Sequence, residues 1–228
     1  HEQFLNHTHF NLHFELKTTD YILQLIDEGE HEHQDFKYQI SDAKKIARSI
    51  SAFANNSGGR LLVGVKDNGH IAGVKSDEEI YMIEQAATMY CRPEQQMNFQ
   101  LFKVEGKNVL LAEVAEAQVK PVQAPDENGH WKVYYRVADE NVLASGVHVK
   151  ALKHKNSDKD GALLNFSEKE RELLEYLDLH GGITLSGFSK LAHISRFAAE
   201  DAIVKLLEMN VITLNYHNGN CLITKPNK

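Results

Sequence analysis

Ser51-Ala52-Phe53-Ala54-Asn55-Asn56-Ser57-Gly58-Gly59, running into Arg60-Leu61-Leu62-Val63-Gly64-Val65-Lys66-Asp67-Asn68-Gly69, is the stretch that decides the fold. Ala43, Ile46, Ala47, Ile50, Phe53 and Ala54 recur at helical spacing, so a helix capped by Ser41 closes in this stretch. Asn56 to Gly59 supply residues that tolerate the left-handed backbone of a helix C-cap. Leu61 to Val65 is nearly continuous apolar sequence, as in a strand covered on both faces. Lys66-Asp67-Asn68-Gly69 then signals a tight hairpin turn into Ile71–Val74.

Outward from this block, Thr18-Thr19-Asp20 opens a short helix that stops at Gly29. Gln34 to Ile40 alternates, Phe36, Tyr38 and Ile40 on one side and Asp35, Lys37 and Gln39 on the other, which predicts a half-buried strand. Lys44, Arg48, Ser51 and Asn55 form a polar stripe beside the apolar face of the following helix. Ser76 to Glu79 reads as a capping box for a helix carrying Ile80, Ile83, Ala87 and Tyr90. Strands are expected at 98–104, 108–114 and 131–137, the last with Trp131, Val133, Tyr135 and Val137 on one face and Lys132, Tyr134 and Arg136 on the other.

A second part follows. Residues 153–162 are polar throughout and read as a linker. Ser167 to Glu170 is another capping box, helices are expected up to Gly181-Gly182, over 185–193 and over 196–209, and two strands flank His217-Asn218-Gly219-Asn220. Three helices and a β-hairpin are the order of a winged helix. The fold class is therefore α+β: an arm at 1–17, a mixed α/β domain at 18–152, the linker at 153–162 and a winged-helix domain at 163–228.

Composition limits the function. The chain has 228 residues, 42% of them hydrophobic, which suits one medium and one small domain with real cores. No apolar run approaches the roughly 18 residues that span a bilayer, and His1 to Leu5 have no signal-peptide character, so a cytoplasmic protein is expected. The chain opens on His rather than Met, so a natural start upstream is expected. Cys91 and Cys221 stand far apart and read as reduced thiols. His1, His7, His9 and His13 read as a solvated arm rather than a metal site. A net charge of −7 argues against coating nucleic acid non-specifically, yet residues 37–66 hold six basic side chains against Asp42 alone.

The Gly29-Glu30 pair, Asp35-Phe36-Lys37, and the Phe-Ala-Asn…Gly-Gly…Gly-Val…Asp block resemble the Schlafen-type Alba-like domain, over about residues 18–152. Lys120-Pro121 and Tyr134-Tyr135-Arg136-Val137 resemble its last strands, and many bacterial relatives, labelled divergent AAA proteins or transcriptional regulators, append a winged helix. The resemblance implies a fold similar to nucleic-acid-binding Alba proteins. In animal Schlafens three carboxylates cleave structured RNA, and these map onto Glu30, Asp35 and Asp67, with Asp35 standing where the family usually has Glu. Animal Schlafens also carry two such lobes per chain and this chain carries one, which implies a non-covalent homodimer.

The residues give the chemistry some independent support. Asp35 and Lys37 share a strand face; with Glu30 and Asp67 they would place Mg²⁺ or Mn²⁺ against a phosphodiester, with Lys37 stabilising developing charge. The plain alternative is a turn glutamate, a solvated ion pair and a hairpin aspartate. His31-Glu32-His33 would add ligands or sit as solvated loop residues. For binding DNA or structured RNA the candidates are Lys37, Lys44, Lys45, Arg48, Arg60, Lys132, Tyr134, Arg136 and Arg196, with Tyr134 as a stacking platform between cations. The last long helix sums to −1 over Arg196, Glu200, Asp201, Lys205 and Glu208, so protein contact competes with DNA reading there. No G-x-x-x-x-G-K-[ST] loop occurs, which excludes a P-loop ATPase. Three functions remain: a nucleic-acid-binding transcriptional regulator, a metal-dependent endoribonuclease, and a protein-interaction module.

Overall fold

The computed structural model describes residues 19–154 and 166–227. The expected arm at 1–17 and most of the expected linker at 153–162 lie outside the described residues. Packing separates two units: one runs to Ala117 and resumes over Val122–Asn141, and the other holds Gln118–Pro121 and everything from Val142 onward. Among the described residues no helix is long and apolar enough to cross a membrane.

The first unit contains α1 (Thr19–Glu28), β1 (Gln34–Lys37), α2 (Ala43–Asn55), β2 (Gly59–Val63), α3 (Glu78–Met89), β3 (Met97–Val104), β4 (Lys107–Val114), β5 (Gln123–Pro125) and β6 (Trp131–Val137). Four strands form a mixed sheet in the order β1-β2-β4-β3, with β1 parallel to β2 and the other pairs antiparallel. The apolar run in β2 works on both faces, as its continuity suggested. Leu61 and Val63 join Ile46, Ile50, Phe53 and Ile83 on the side of α2 and α3, while Leu62 joins Ile22, Leu25, Phe36 and Phe102 on the side of α1.

A second sheet in the order β5-β6-β7, with β7 at Glu140–Leu143, lies on the other flank of α2. Sandwiched between two sheets, α2 buries ten of its thirteen residues, Ser51 and Asn55 among them. Beyond Lys44 the polar stripe read from its sequence is therefore covered: Ser51 donates to the Val122 carbonyl at 2.8 Å and Arg48 to that of Pro125 at 3.0 Å.

Local signals fail where another group competes. The cap of α2 is Asp42, not Ser41, its carboxylate accepting from Lys44 N and Lys45 N. No capping box forms at Ser76, because Glu79 is buried with its carboxylate accepting from Ile40 N at 3.0 Å and Lys75 N at 2.9 Å. β1 pairs only through Lys37, so the alternation does not extend to Ile40, and buried Asp35 shows that its polar side is covered too.

The second unit contains α4 (Gly146–His154), α5 (Glu168–His180), β8 (Gly182–Ile183), α6 (Leu185–Leu191), α7 (Arg196–Glu208), β9 (Thr213–His217) and β10 (Asn220–Thr224). Helix α4 packs on α7 and sends Val147 into a core with Leu173, Phe188, Ile203 and Ile223, so the boundary falls ahead of this helix rather than at 152. The Ser167–Glu170 capping box forms as read. The β9–β10 turn places Asn218 and Gly219 at φ 49° and 75°, the left-handed pair that a two-residue hairpin demands, and β8 completes a sheet in the order β8-β10-β9.

Candidate nucleic-acid interface

The loop between α1 and β1 brings two of the three expected carboxylates together. Gly29, at φ 73°, lets the chain turn out of α1, and Gln34 ties the turn down by donating to the Leu25 and Gly29 carbonyls. Glu30 reaches forward to accept from Phe36 N at 2.9 Å. Asp35 receives Lys37 Nζ at 2.7 Å and stands 3.6 Å from the Arg136 guanidinium, which is 1% exposed. Arg136 also donates to Asn141 at 3.0 Å and to the Gln34 carbonyl at 3.3 Å, and lies 5.1 Å from the Phe53 ring centre. Partial burial, followed by a hydrogen bond with Asp35, pushes Glu30 up to about 7, so the Glu30 carboxyl holds its proton close to neutrality.

This arrangement does not fit the expected metal. Asp35 is already neutralised by two cations, Glu30 is spoken for by Phe36 N–H and Asp35, and Asp67 sits apart in the exposed Lys66–Gly69 turn. Among the described residues no group of three His, Cys, Asp or Glu side chains is disposed to hold an ion. The neighbouring loop residues have structural partners as well: His31 faces Glu28 at 3.7 Å, Glu32 accepts from Asn56 at 2.9 Å, and His33 meets the Gly58 carbonyl at 3.1 Å. Of the expected trio, the structure thus brings together Glu30 and Asp35, braced by Lys37 and Arg136, with Asp67 in a separate turn.

The expected phosphate-binding cations divide into those buried or paired with a carboxylate and those that are exposed. Lys37 is held by Asp35, Arg60 by Glu28 at 2.8 Å and Gln34 at 2.7 Å, and Arg136 is buried. Arg48 meets Glu127 at 3.8 Å, and in the second unit Arg196 meets Glu200 at 3.2 Å. Lys44, Lys45 and Lys132 remain exposed. Tyr134 is only 7% exposed, because its face of β6 lies against α2, so it offers no stacking platform.

A different aromatic stands exposed beside cations. Tyr38 is 41% exposed, with Lys66 Nζ 5.4 Å and Lys75 Nζ 4.7 Å from its ring centre. Sequence reading placed it on the buried side by extending the alternation past the end of β1. The usable cue was Gln39-Ile40-Ser41-Asp42, a polar approach to the next helix cap that leaves little room for more strand.

The Asn55-to-Gly59 block is a set of joints. Asn56 pairs with the Arg136 backbone in both directions, at 3.0 and 3.2 Å. A Cβ on Gly58 (φ 83°) would stand 2.8 Å from the Val114 carbonyl oxygen, and one on Gly59 would stand 2.2 Å from the Phe53 ring, so both positions require glycine. These glycines open onto a cleft of about 600 Å³ lined also by His33, Arg60, Asn98 and Glu113.

The model of the family described as "Schlafen, AlbA_2" matches residues 30–145. No curated protein matches the chain. Among solved structures it is similar to the DIP2311 protein from Corynebacterium diphtheriae, at 23% identity and a TM-score of 0.43, covering 62% of this chain and 28% of that one. The present chain thus spans well under a third of that protein's length. Because the family match takes in just over half of the 228 residues, from Glu30 through the glycine block to the end of β7, the chain belongs to the Schlafen, AlbA_2 family.

Proposed function

We propose that this chain is a nucleic-acid-binding regulator whose first unit supplies the binding surface. Membership of the Schlafen, AlbA_2 family over residues 30–145 carries this reading. The exposed Lys44, Lys45 and Lys132 add side chains able to meet phosphates on an otherwise acidic protein. Cleavage is the weaker reading, since Asp35 is occupied by Lys37 and Arg136 and Asp67 stands apart. The test is incubation with tRNA, single-stranded DNA and duplex DNA, with and without Mn²⁺, read on gels for shift and cleavage. A shift without cleavage is expected. Cleavage that requires Mn²⁺ would replace binding with the endoribonuclease reading, and no shift with any nucleic acid would end both.

The second unit is proposed as a winged helix, supported by its order of helices and the β8-β10-β9 sheet. Its α7 favours protein contact over a DNA groove. Glu200 and Asp201 engage Lys150, Lys205 engages Glu170, and the large exposed side chain is Phe197, at 68%. A homodimer is proposed as well, with exposed Tyr81 and Met89 on α3 as apolar surface. Light scattering at micromolar concentration should give twice the chain mass, and a monomer mass would remove this part of the reading.

A further inference from the structure

We infer that Tyr38, Lys66 and Lys75 form a stacking site for one unpaired base and its two flanking phosphates; this deepens the nucleic-acid-binding reading and rests on it. Tyr38 follows directly on β1, where Gly64 N–H donates to the Lys37 carbonyl at 2.8 Å and closes the strand pair. Lys66 lies just beyond the end of β2. Because β1 and β2 are parallel, both residues leave the sheet at the same edge, the carboxyl ends of adjacent strands where open mixed sheets commonly place ligands. Lys75 enters from the segment before α3, its ammonium donating to Gln39 at 2.6 Å and lying over the same ring.

Three features make this cluster a receptor rather than surface decoration. Among the described residues Tyr38 is the ring with two ammonium groups over it. Among the described residues, too, neither Lys66 nor Lys75 forms an ion pair with a carboxylate, in contrast to Lys37, Arg48 and Arg60. The ring is 41% exposed and its backbone follows directly on the paired end of β1, so ordering it costs little on binding. Asp67, next to Lys66, points the other way in charge but lies in an exposed turn where solvent screens it.

The ligand class follows from these groups. An exposed lysine over a tyrosine ring is a weaker contact than a nucleobase stacked on that ring. A base can therefore displace the lysines, whose flexible stems let both ammonium groups swing to its phosphates. Bases inside a duplex stack on one another and offer no free face, so the site selects single-stranded or looped nucleic acid over duplex.

Fluorescence anisotropy with the full chain tests this, using labelled single-stranded DNA and RNA oligonucleotides of one sequence and the matching duplex. Tyr38→Ala should weaken single-strand binding about tenfold, with duplex binding unchanged within about twofold. Tyr38→Phe should bind as wild type, because stacking does not use the hydroxyl. Lys66→Gln with Lys75→Gln should lower the single-strand salt slope by about 1.4, the share of two phosphate contacts. Wild-type binding that Tyr38→Ala leaves unchanged, or weakens equally for duplex, overturns the inference while nucleic-acid binding stands. Wild-type protein that binds no oligonucleotide overturns both.

Discussion

Asn55 grips Val122 by both backbone groups, its side-chain carbonyl accepting from Val122 N–H at 2.7 Å while its amide donates to the Val122 carbonyl at 2.8 Å. The same amide donates to the Tyr134 carbonyl at 2.7 Å. One side chain on α2 thus stands in for a missing strand neighbour and joins the helix to the β5–β6 sheet.

Removing that grip should be costly. Asn55→Leu keeps similar bulk but strips the Val122 N–H and the Tyr134 carbonyl of this partner, and leaves the Val122 carbonyl with Ser51 alone. We expect a loss of roughly 3–5 kcal/mol, seen as a melting temperature lower by about 10 °C. Asn55→Asp should be no better, since it sets a carboxylate against two carbonyls. Urea denaturation of the three proteins measures this, and a loss below about 1 kcal/mol would show that the second sheet is held by apolar packing instead.

The same residue shows how far the sequence could be read. Helical period separates apolar from polar positions, so it found α2 and its main core face, but it left open what the polar Ser51 and Asn55 meet. Only the second sheet, formed more than 60 residues later, supplies the buried carbonyls that satisfy them. Ser167 and Glu170 make their capping box because both partners are local; Glu79 deserts Ser76 because the Ile40 N–H is available in space. Strand β5 is three residues with a proline, β7 follows a tight turn through Ala138 at φ 51°, and α4 looked like the tail of the preceding domain, so none stood out. At the candidate site, strand alternation correctly put Asp35 beside Lys37. It could not show that Arg136, a hundred residues later, closes the same carboxylate from the other side.

Glu30 should write itself into the pH dependence of stability. Its carboxyl is pushed up from 4.5 to about 7 by burial and by the hydrogen bond with Asp35, so the folded protein holds the proton more tightly than the unfolded chain. The stabilisation from this proton is present in full below about pH 4.5 and is lost as pH rises through about 7. Glu30→Gln mimics the protonated acid, accepting from Phe36 N–H and donating to Asp35. Its melting temperature should match wild type near pH 5 and exceed it by a few degrees at pH 8. A constant offset across that range would mean that the raised proton affinity does not exist.

Metal addition should not distinguish Asp67. Ligand binding raises the melting temperature only through groups that bind in the folded state. With Asp67 in its own turn and Asp35 neutralised by Lys37 and Arg136, Mn²⁺ should move wild type and Asp67→Asn equally. A Mn²⁺ shift in wild type that vanishes in Asp67→Asn would mean the three carboxylates assemble around the ion, and the endoribonuclease reading would gain the site it now lacks.

Held and unheld cations should separate cleanly in a salt titration. Each phosphate contact contributes about 0.7 to the slope of log affinity against log salt for single strands. Lys44 and Lys45 are exposed at the start of α2, so reversing both to Glu should weaken single-strand binding several-fold and flatten the slope by about 1.4. Arg60 spends its guanidinium on Glu28 and Gln34 within the fold. Arg60→Gln should therefore lower the melting temperature while leaving the salt slope where it was. The reverse pattern, with Arg60 setting the slope and the lysines silent, would move the contact surface to the cleft beside Gly58 and Gly59 that Arg60 lines. In that case the Glu28 pairing would have to open when nucleic acid binds, and Glu28→Gln would strengthen binding by freeing the arginine.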